Sequence, residues 1–191
     1  MPPKAKFTKE EVIGAALALV REKGSEAVTA RELGAKLGSS ARPIFTLYAN
    51  MDEVWADIYR TVRDIYNRDY IQAGLRETLA FRGVGAGYIR FACEESQFFR
   101  LLFMGEHRES VQEILPQLDE NYDAILNSIT GAYPVTRAQA EWLYQHLWVY
   151  SHGIATLCAT RACAFTGEDI ERMLTDIFLA LYPKLKGEGS K

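Results

Sequence analysis

The sequence predicts an all-α protein, and two kinds of observation support that prediction. Capping boxes, in which a Ser, Thr or Asn at the helix start is followed three residues later by an acid or amide, recur along the chain. They begin at Thr8, Thr29, Asn50, Thr136 and Thr166. Apolar residues follow them at spacings of three and four, the period of a helix with one buried face. We find no convincing strand, hairpin turn or internal repeat.

The first 50 residues predict three helices. The first follows Thr8, ends at Gly24, and presents the apolar face Val12, Ile13, Ala16, Leu17, Leu19 and Val20. A second, short helix follows Thr29 and ends at Gly38. Ser39 or Ser40 starts the third, with Pro43 in its first turn, where a missing N–H costs little. We expect Leu33, Leu37, Ile44 and Leu47 to pack this pair of helices against the first.

The remaining helices are expected to form a second domain. A long fourth helix starts at Asn50 and runs through Ile65 toward Tyr70, and it joins the three-helix head, residues 1–50, to residues 51–191. Further helices are predicted over about 76–94, 97–103, 110–129, 136–163 and 166–183. Gly83, Gly85 and Gly87 lie inside one of them, which indicates close helix packing or a kink beside a cavity.

Composition excludes several classes of protein. No apolar run approaches the roughly 18 residues of a membrane span, and no signal peptide is recognisable. Cys93, Cys158 and Cys163 are odd in number and lack CxxC spacing, which disfavours a disulfide framework or a zinc site and suits a reducing cytoplasm. Residues 1–50 hold eight basic and five acidic residues, a net charge of +3, and the remainder holds 14 and 20, a net charge of −6. The basic end is the candidate surface for a polyanion.

Two short helices joined by Gly-Ser-Ser are typical of a helix-turn-helix, although an ordinary three-helix corner has the same pattern. The second helix of the pair favours DNA binding, because short hydroxyls and an arginine suit phosphate oxygens and base edges. Its hydrogen-bonding side chains, expected to be exposed, are Ser39, Ser40, Arg42, Thr46 and Tyr48.

The stretch FTKEEVIGAALALVREKGSEAVTARELGAKLGSSARPIFTLYANMDEVWADIY, residues 7–59, resembles the TetR/AcrR family of bacterial transcriptional regulators. WVYSHGIATL, residues 148–157, is similar to a W-x-x-x-HG-x-A-x-L segment that many of these proteins carry in their penultimate helix. The resemblance implies a homodimer in which the last two helices of each subunit form a four-helix interface. It also implies a ligand pocket among the middle helices and two heads that read successive major grooves.

Carried over by position, the DNA contacts are Thr29, Arg31, Ser39, Ser40, Ala41, Arg42, Pro43, Phe45, Thr46 and Tyr48. Arg42 and Thr46 are expected to contact bases. Two residues depart from the family pattern: Phe45 replaces a usual tyrosine, and Met51 replaces a lysine that bonds a phosphate. The second change predicts a salt dependence weaker by about one charge per head, unless Lys6, Lys36 or Arg42 supplies the charge.

Residues 66–152 are rich in aromatics, most of which belong to a core but some of which suit an adaptable apolar pocket. The candidate ligand contacts are Tyr88, Phe91, Phe103, Tyr122, Trp148 and His152. His152 is equally compatible with a bonded core or interface histidine. Small residues near it, Gly153, Ala155, Thr156, Ala159 and Thr160, suit a dimer seam, and so does the broad apolar face of the last helix, Ile170, Met173, Leu174, Ile177, Phe178 and Leu181.

The sequence offers no catalytic or metal-binding constellation. His146 and His152 lack the i,i+4 spacing of a zinc pair, and His107 is expected in a loop. We therefore expect no enzyme, cofactor or metal, but a cytoplasmic, dimeric repressor that binds operator DNA and is released by a small hydrophobic effector, with no membrane association. The alternative is a helical small-molecule-binding or adaptor protein whose head contacts a protein partner.

Overall fold

The computed structural model describes residues 6–77, 80–105 and 110–187, apart from the side chains of residues 118 and 186. Within these residues the chain is mainly helical and has no strand, as the sequence predicts. The α-helices are α1 (Lys9–Lys23), α2 (Ala30–Lys36), α3 (Met51–Tyr66), α4 (Gln72–Leu75), α5 (Ala80–Glu94), α6 (Ser96–Phe103), α7 (Val111–Leu118), α8 (Tyr122–Ala132), α9 (Arg137–Ala159) and α10 (Gly167–Gly187). A π-helix, Asn67–Ile71, joins α3 to α4, and single 3₁₀ turns lie at Ser25–Ala27 and Ile44–Thr46.

The capping boxes read from the sequence are confirmed as helix starts. Thr8 accepts a hydrogen bond from the Glu11 amide, and the Glu11 carboxylate accepts one from the Thr8 amide. Thr136 with Gln139, and Thr166 with Asp169, repeat this reciprocal pair. These caps satisfy amides that the first turn of a helix leaves without partners, which is why a local signal sufficed to find them.

The predicted third helix is wrong in type. Residues 39–48 form a series of tight turns that includes the 3₁₀ turn Ile44–Thr46, and the amides of Ile44, Thr46 and Leu47 bond three residues back. Gly38, at φ +65°, ends α2 in a left-handed conformation, and Pro43 removes one amide donor. The Thr46 hydroxyl donates to the Pro43 carbonyl at 2.6 Å, a local bond that competes with a regular helix.

Three other helix boundaries differ from the sequence prediction. The helix expected over 110–129 is two helices, because the chain becomes extended at Asp119. The α9 helix ends at Ala159 rather than near residue 163, and Arg161 takes the left-handed conformation at φ 57°. The last helix continues past Pro183, since Leu185 is buried and its carbonyl accepts a hydrogen bond from Gln139 Nε2 at 3.1 Å.

The chain divides into two compact units. The first unit holds the described residues up to Ile65 together with Gln97–Met104, and the second holds Tyr66–Ser96 and the described residues from Gly105 onward. The division does not follow the functional boundary expected at residue 50, which stays a prediction. In the first unit the predicted apolar face of α1 is buried, with Leu33 and Ile44 completely enclosed, while Leu37 and Leu47 are half-buried.

In the second unit, backbone touches backbone at the glycines of α5. A Cβ on Gly83 would lie 2.6 Å from Gly74 Cα, and a Cβ on Gly87 would lie 2.1 Å from the Tyr70 carbonyl oxygen. The close-packing alternative for this glycine run is therefore correct at Gly83 and Gly87. Gly85 differs, because its Cβ would meet Ser151 and Leu174 at an ordinary 3.5 Å.

No helix in the described part of the chain combines the length and the apolar character needed to cross a membrane.

The difference in packing between Gly87 and Gly85 predicts opposite effects of alanine substitutions at the two positions. Gly87→Ala lowers the free energy of unfolding by about 1–3 kcal/mol, because the new methyl overpacks against a carbonyl that cannot move without disturbing the π-helix. Gly85→Ala raises it by up to about 1 kcal/mol, because alanine favours the helix and fits the space. Urea unfolding followed by circular dichroism measures both values. Equal effects at the two positions would contradict the backbone contact.

Candidate functional site

The candidate nucleic-acid surface is the segment from α2 to the start of α3 in the first unit. Of the ten residues predicted to contact DNA, Thr29, Arg31, Ser40, Arg42, Phe45 and Thr46 are exposed, and Ser39, Ala41 and Pro43 are half-buried. The Phe45 ring is 44% exposed. The tight turns therefore present a compact surface of hydroxyls, an aromatic ring and cations.

Two cations on this surface are available to an anionic partner. Among the described residues, no hydrogen bond or ion pair engages the guanidinium group of Arg31 or of Arg42. Both side chains are exposed. A free guanidinium group offers five donors in a planar fork that matches phosphate oxygens or the edge of guanine.

The lysines proposed to compensate for Met51 have different environments. Lys36 forms an ion pair with Glu22 at 2.6 Å, and this pair lowers the pKa of the Glu22 carboxyl. Lys6 donates instead to the Ser39 hydroxyl at 2.9 Å, so its charge lies beside the tight turns without a carboxylate partner among the described residues. Lys6 is the better candidate for the missing charge.

The expectation that Tyr48 is an exposed side chain is wrong. Its side chain is 2% exposed, and its hydroxyl donates to Asp57 Oδ2 at 3.0 Å. Asp57 also accepts from Arg60 at 2.6 Å, and Lys9 Nζ lies 4.4 Å from the centre of the Tyr48 ring. Burial raises the pKa of the Tyr48 hydroxyl well above its ordinary range, followed by the effect of Asp57. Tyr48 anchors the end of the turn to α1 and α3, and sequence reasoning missed Asp57 because nothing local links the two positions.

Three of the six predicted ligand contacts lie together in the second unit. The Tyr88 hydroxyl is 2.8 Å from His152 Nδ1, and the Trp148 ring stacks on the His152 ring at 5.0 Å between centroids. Tyr88 is 3% exposed, and burial raises its pKa well above the ordinary value. Burial also lowers the pKa of His152, so the imidazole is neutral at pH 7. The cluster can offer a ligand apolar ring faces and the polar atoms of the Tyr88–His152 hydrogen bond.

The other three predicted contacts each pack against further aromatic rings. Phe91 is fully buried on α5 against Tyr66 and Tyr70, at 5.0 Å from each ring. Tyr122 packs beside Tyr144 at 5.8 Å between centroids. Phe103 belongs to the first unit, where it packs against Phe99.

Asp119 is a buried carboxyl that sequence reasoning missed. Its side chain is 8% exposed and accepts hydrogen bonds from the Tyr144 hydroxyl and the Asn121 amide. Burial raises its pKa, and its charge raises the pKa values of the buried Tyr66 and Tyr88. The sequence around Asp119 offers only an acid after a short apolar segment. The sequence therefore predicts one helix over 110–129 that includes this residue.

Metal ligands do not cluster in the described part of the chain: no group of three or more His, Cys, Asp or Glu side chains is placed to hold an ion. The two described histidines have different partners: the His146 ring is hydrogen-bonded to the Trp142 carbonyl at 2.8 Å, and the His152 ring to the Tyr88 hydroxyl. His107 lies outside the described residues.

Comparison with known proteins identifies no family, since no protein-family model matches the chain and no curated protein is significantly similar to it.

The half-buried imidazole of His152 predicts a specific pH dependence. Because its folded-state pKa lies below the unfolded value of about 6.5, the unfolded chain binds the proton first. The stability contribution is complete above that value and is lost as the pH falls through it. His152→Gln should therefore lose less stability than the parent between pH 7.5 and pH 5 in urea unfolding. His146→Gln, at an exposed position, serves as the control and should follow the parent curve.

Proposed function

We propose that the protein is a ligand-responsive DNA-binding regulator of the TetR/AcrR type, acting as a repressor. The observation that carries this proposal is the exposed surface formed by α2 and the tight turns, where Arg31 and Arg42 have no partner among the described residues. This surface lies in the segment with a net charge of +3, in a chain whose remainder carries −6. A local cationic surface on an acidic protein favours a polyanion as the partner.

In this proposal the tight turns enter the major groove and the flanking residues hold the backbone. Arg42 and Thr46 contact base edges, and the Phe45 ring packs against sugar or a thymine methyl. Thr46 donates its own proton to Pro43, so toward DNA it can act only as an acceptor. The residues that lie along the phosphate backbone are Thr29, Arg31, Ser39, Ser40, Ala41 and Pro43. Tyr48 does not contact DNA in this proposal, because it is buried.

The operator test separates base contacts from backbone contacts. Fluorescence anisotropy with labelled DNA from upstream of the gene should show salt-sensitive, sequence-selective binding. Arg42→Ala should weaken specific binding by about 1–3 kcal/mol and affect non-specific DNA much less. Arg60→Ala is the control in the same unit, because that guanidinium already pairs with Asp57. Absence of selective binding by the parent chain would overturn the proposal and favour a protein-binding head.

The salt dependence tests which lysine supplies the missing phosphate contact. Lys6→Gln should reduce the slope of log K against log salt by about one per head, whereas Lys36→Gln should leave it unchanged, because Glu22 already neutralises Lys36. Met51→Lys should raise the slope by about one. The two glutamine variants have the same charge change, so equal slopes would exclude Lys6 as the compensating residue.

The proposed homodimer uses the outer faces of α9 and α10. Val149, Gly153 and Leu157 follow one another every four residues along α9 and are exposed, and Leu179 on α10 is 59% exposed. Nothing lies within 4 Å of a Cβ at Gly153, so a second helix can approach closely there. Part of the expected seam is wrong: Ala155 and Ala159, and Ile170, Leu174, Phe178 and Leu181 on α10, are buried inside the subunit.

A charge on the exposed face of α9 that contains Val149, Gly153 and Leu157 tests the dimer. Val149→Arg should convert the dimer to a monomer in sedimentation velocity, because an arginine would be buried without a partner between two copies. Ala124→Arg introduces the same side chain at an exposed position of α8 and should remain dimeric. A parent chain that sediments as a monomer at tens of micromolar would contradict the proposal.

The proposed effector is a small, largely hydrophobic molecule bound in the second unit near Tyr88, Trp148 and His152. Ring faces supply apolar contact, and the Tyr88–His152 hydrogen bond offers a polar group to orient the ligand. The effector shifts the population toward a dimer whose heads no longer fit grooves about 34 Å apart. The α3 helix and its continuation to Leu75 are the covalent link through which the change passes.

A further inference from the structure

One cavity in the second unit is not used by the proposed function. It has a volume of about 420 Å³, and its walls come from the π-helix and α4, from α5, and from the residues at and before the start of α10. The candidate effector residues Tyr88, Trp148 and His152 do not line it. The cavity is lined by charged, aromatic and very small residues, a mixture that indicates a ligand with both charged and apolar parts.

A guanidinium group without a carboxylate partner lies on this cavity. Arg90 Nη2 donates a hydrogen bond to the Asp69 carbonyl at 3.0 Å, and the guanidinium carbon lies 5.1 Å from the centre of the Tyr70 ring. These two contacts hold the group in place, and no carboxylate of the described residues pairs with it. Its remaining N–H donors are open to an anionic group of a ligand.

A carboxylate without a cationic partner lies on the same cavity, beside an earlier turn of α5. A Cβ at Gly83 would lie 2.7 Å from Glu77 Cδ and 2.9 Å from Glu77 Oε1, so this carboxyl group packs directly against the α5 backbone. Within the described part of the chain, no hydrogen bond or ion pair engages it. Glu171 also lines the cavity but differs, because Arg82 pairs with its carboxylate at 3.4 Å.

The positive and the negative group are separated along α5. The helix positions that mark them, Gly83 and Arg90, are seven residues apart, which corresponds to about 10 Å along a helix axis. The wall between these positions is small and apolar at Ala86 and Gly87, and Phe165 adds an aromatic ring to the lining. A ligand that satisfies both charges must therefore carry them at opposite ends of an apolar chain.

We propose that this cavity binds a small zwitterion of the ω-amino carboxylic acid class, with its carboxylate on Arg90 and its ammonium group on Glu77. The planar guanidinium fork can hold a carboxylate through two parallel hydrogen bonds, and the glutamate accepts charge-assisted hydrogen bonds from the ammonium group. An α-amino acid cannot reach both residues, because its two charges lie on neighbouring atoms. The site belongs to the second unit alone and holds whether or not the chain binds DNA.

The test measures the rate at which iodoacetamide alkylates Cys93 in the full-length reduced chain as 6-aminohexanoate is added. Cys93 is exposed and lines the cavity, so a bound ligand should slow its alkylation. Cys163 is exposed and does not line the cavity, so its rate should stay unchanged and serves as the internal control. Peptide mass spectrometry gives both rates in the same sample.

Three related probes show which groups of the ligand are recognised. The isomer 2-aminohexanoate has the same atoms with its charges adjacent, and hexanoate and hexylamine each lack one charge. Each should need a concentration about fivefold higher than 6-aminohexanoate for the same protection of Cys93, since one exposed ion pair is lost. This comparison uses only the parent chain, so it decides the proposal even where a variant fails to fold.

Two variants assign the ends of the ligand. Arg90→Gln should protect Cys93 equally with 6-aminohexanoate and hexylamine, and Glu77→Gln should do so equally with 6-aminohexanoate and hexanoate. Glu141→Gln makes the same charge change on α9, outside the cavity, and should retain both differences. No protection of Cys93 by 6-aminohexanoate, equal protection of Cys163, or equal potency of 2-aminohexanoate would overturn the zwitterion site.

Discussion

The contact between the backbone of residues 67–75 and the backbone of α5 is the constraint on which the second unit depends. At Gly83 and Gly87 there is no room for a single methyl group, so the two segments have only one way to fit together. The π-helix at Asn67–Ile71 places the Tyr70 carbonyl against Gly87, and the extra residue in that turn follows from this contact. The π-helix and the glycines at positions 74, 83 and 87 are each unfavourable alone, but together they allow this close backbone contact.

Several features follow from that close approach. The rings of Tyr66 and Tyr70 each lie 5.0 Å from the ring of Phe91, which is fully buried. One turn earlier on α5, Tyr88 meets His152 of α9. The small residues that permit the approach also leave the cavity beside Cys93. The packing of α5 and the candidate effector cluster thus share one cause, and a bulky residue at Gly87 would disturb both.

The sequence predicts those features of the fold that depend on residues close together in the chain. A capping box needs only residues three apart, so the starts of α1, α9 and α10 were found directly. The break at Asp119 was missed because its reason is distant: the Tyr144 hydroxyl, 25 residues later, bonds the carboxyl. The burial of Tyr48 was missed similarly, since its partner Asp57 lies on the next helix. Of the two alternatives that the sequence left open for the glycine run, close packing is correct at Gly83 and Gly87, although the partner segment could not be named from the sequence.

Charge at the candidate DNA surface shows why counting residues is a weaker argument than following their partners. The segment 1–50 has a net charge of +3, yet Lys23 and Lys36 are each paired with a carboxylate, at 3.5 and 2.6 Å. Ion pairs at exposed positions contribute little to stability, but they reduce the charge offered to a polyanion. Three other cations lie on or beside the tight turns. Arg31 and Arg42 have no partner among the described residues, and Lys6 donates a hydrogen bond to a hydroxyl. In the proposed function Met51 makes no phosphate contact, and Lys6 beside Ser39 offers a positive charge from a different part of the chain. A head that holds DNA in this way places its charge at the turns rather than at the start of the following helix, so its salt dependence should respond to Lys6 and not to Lys36.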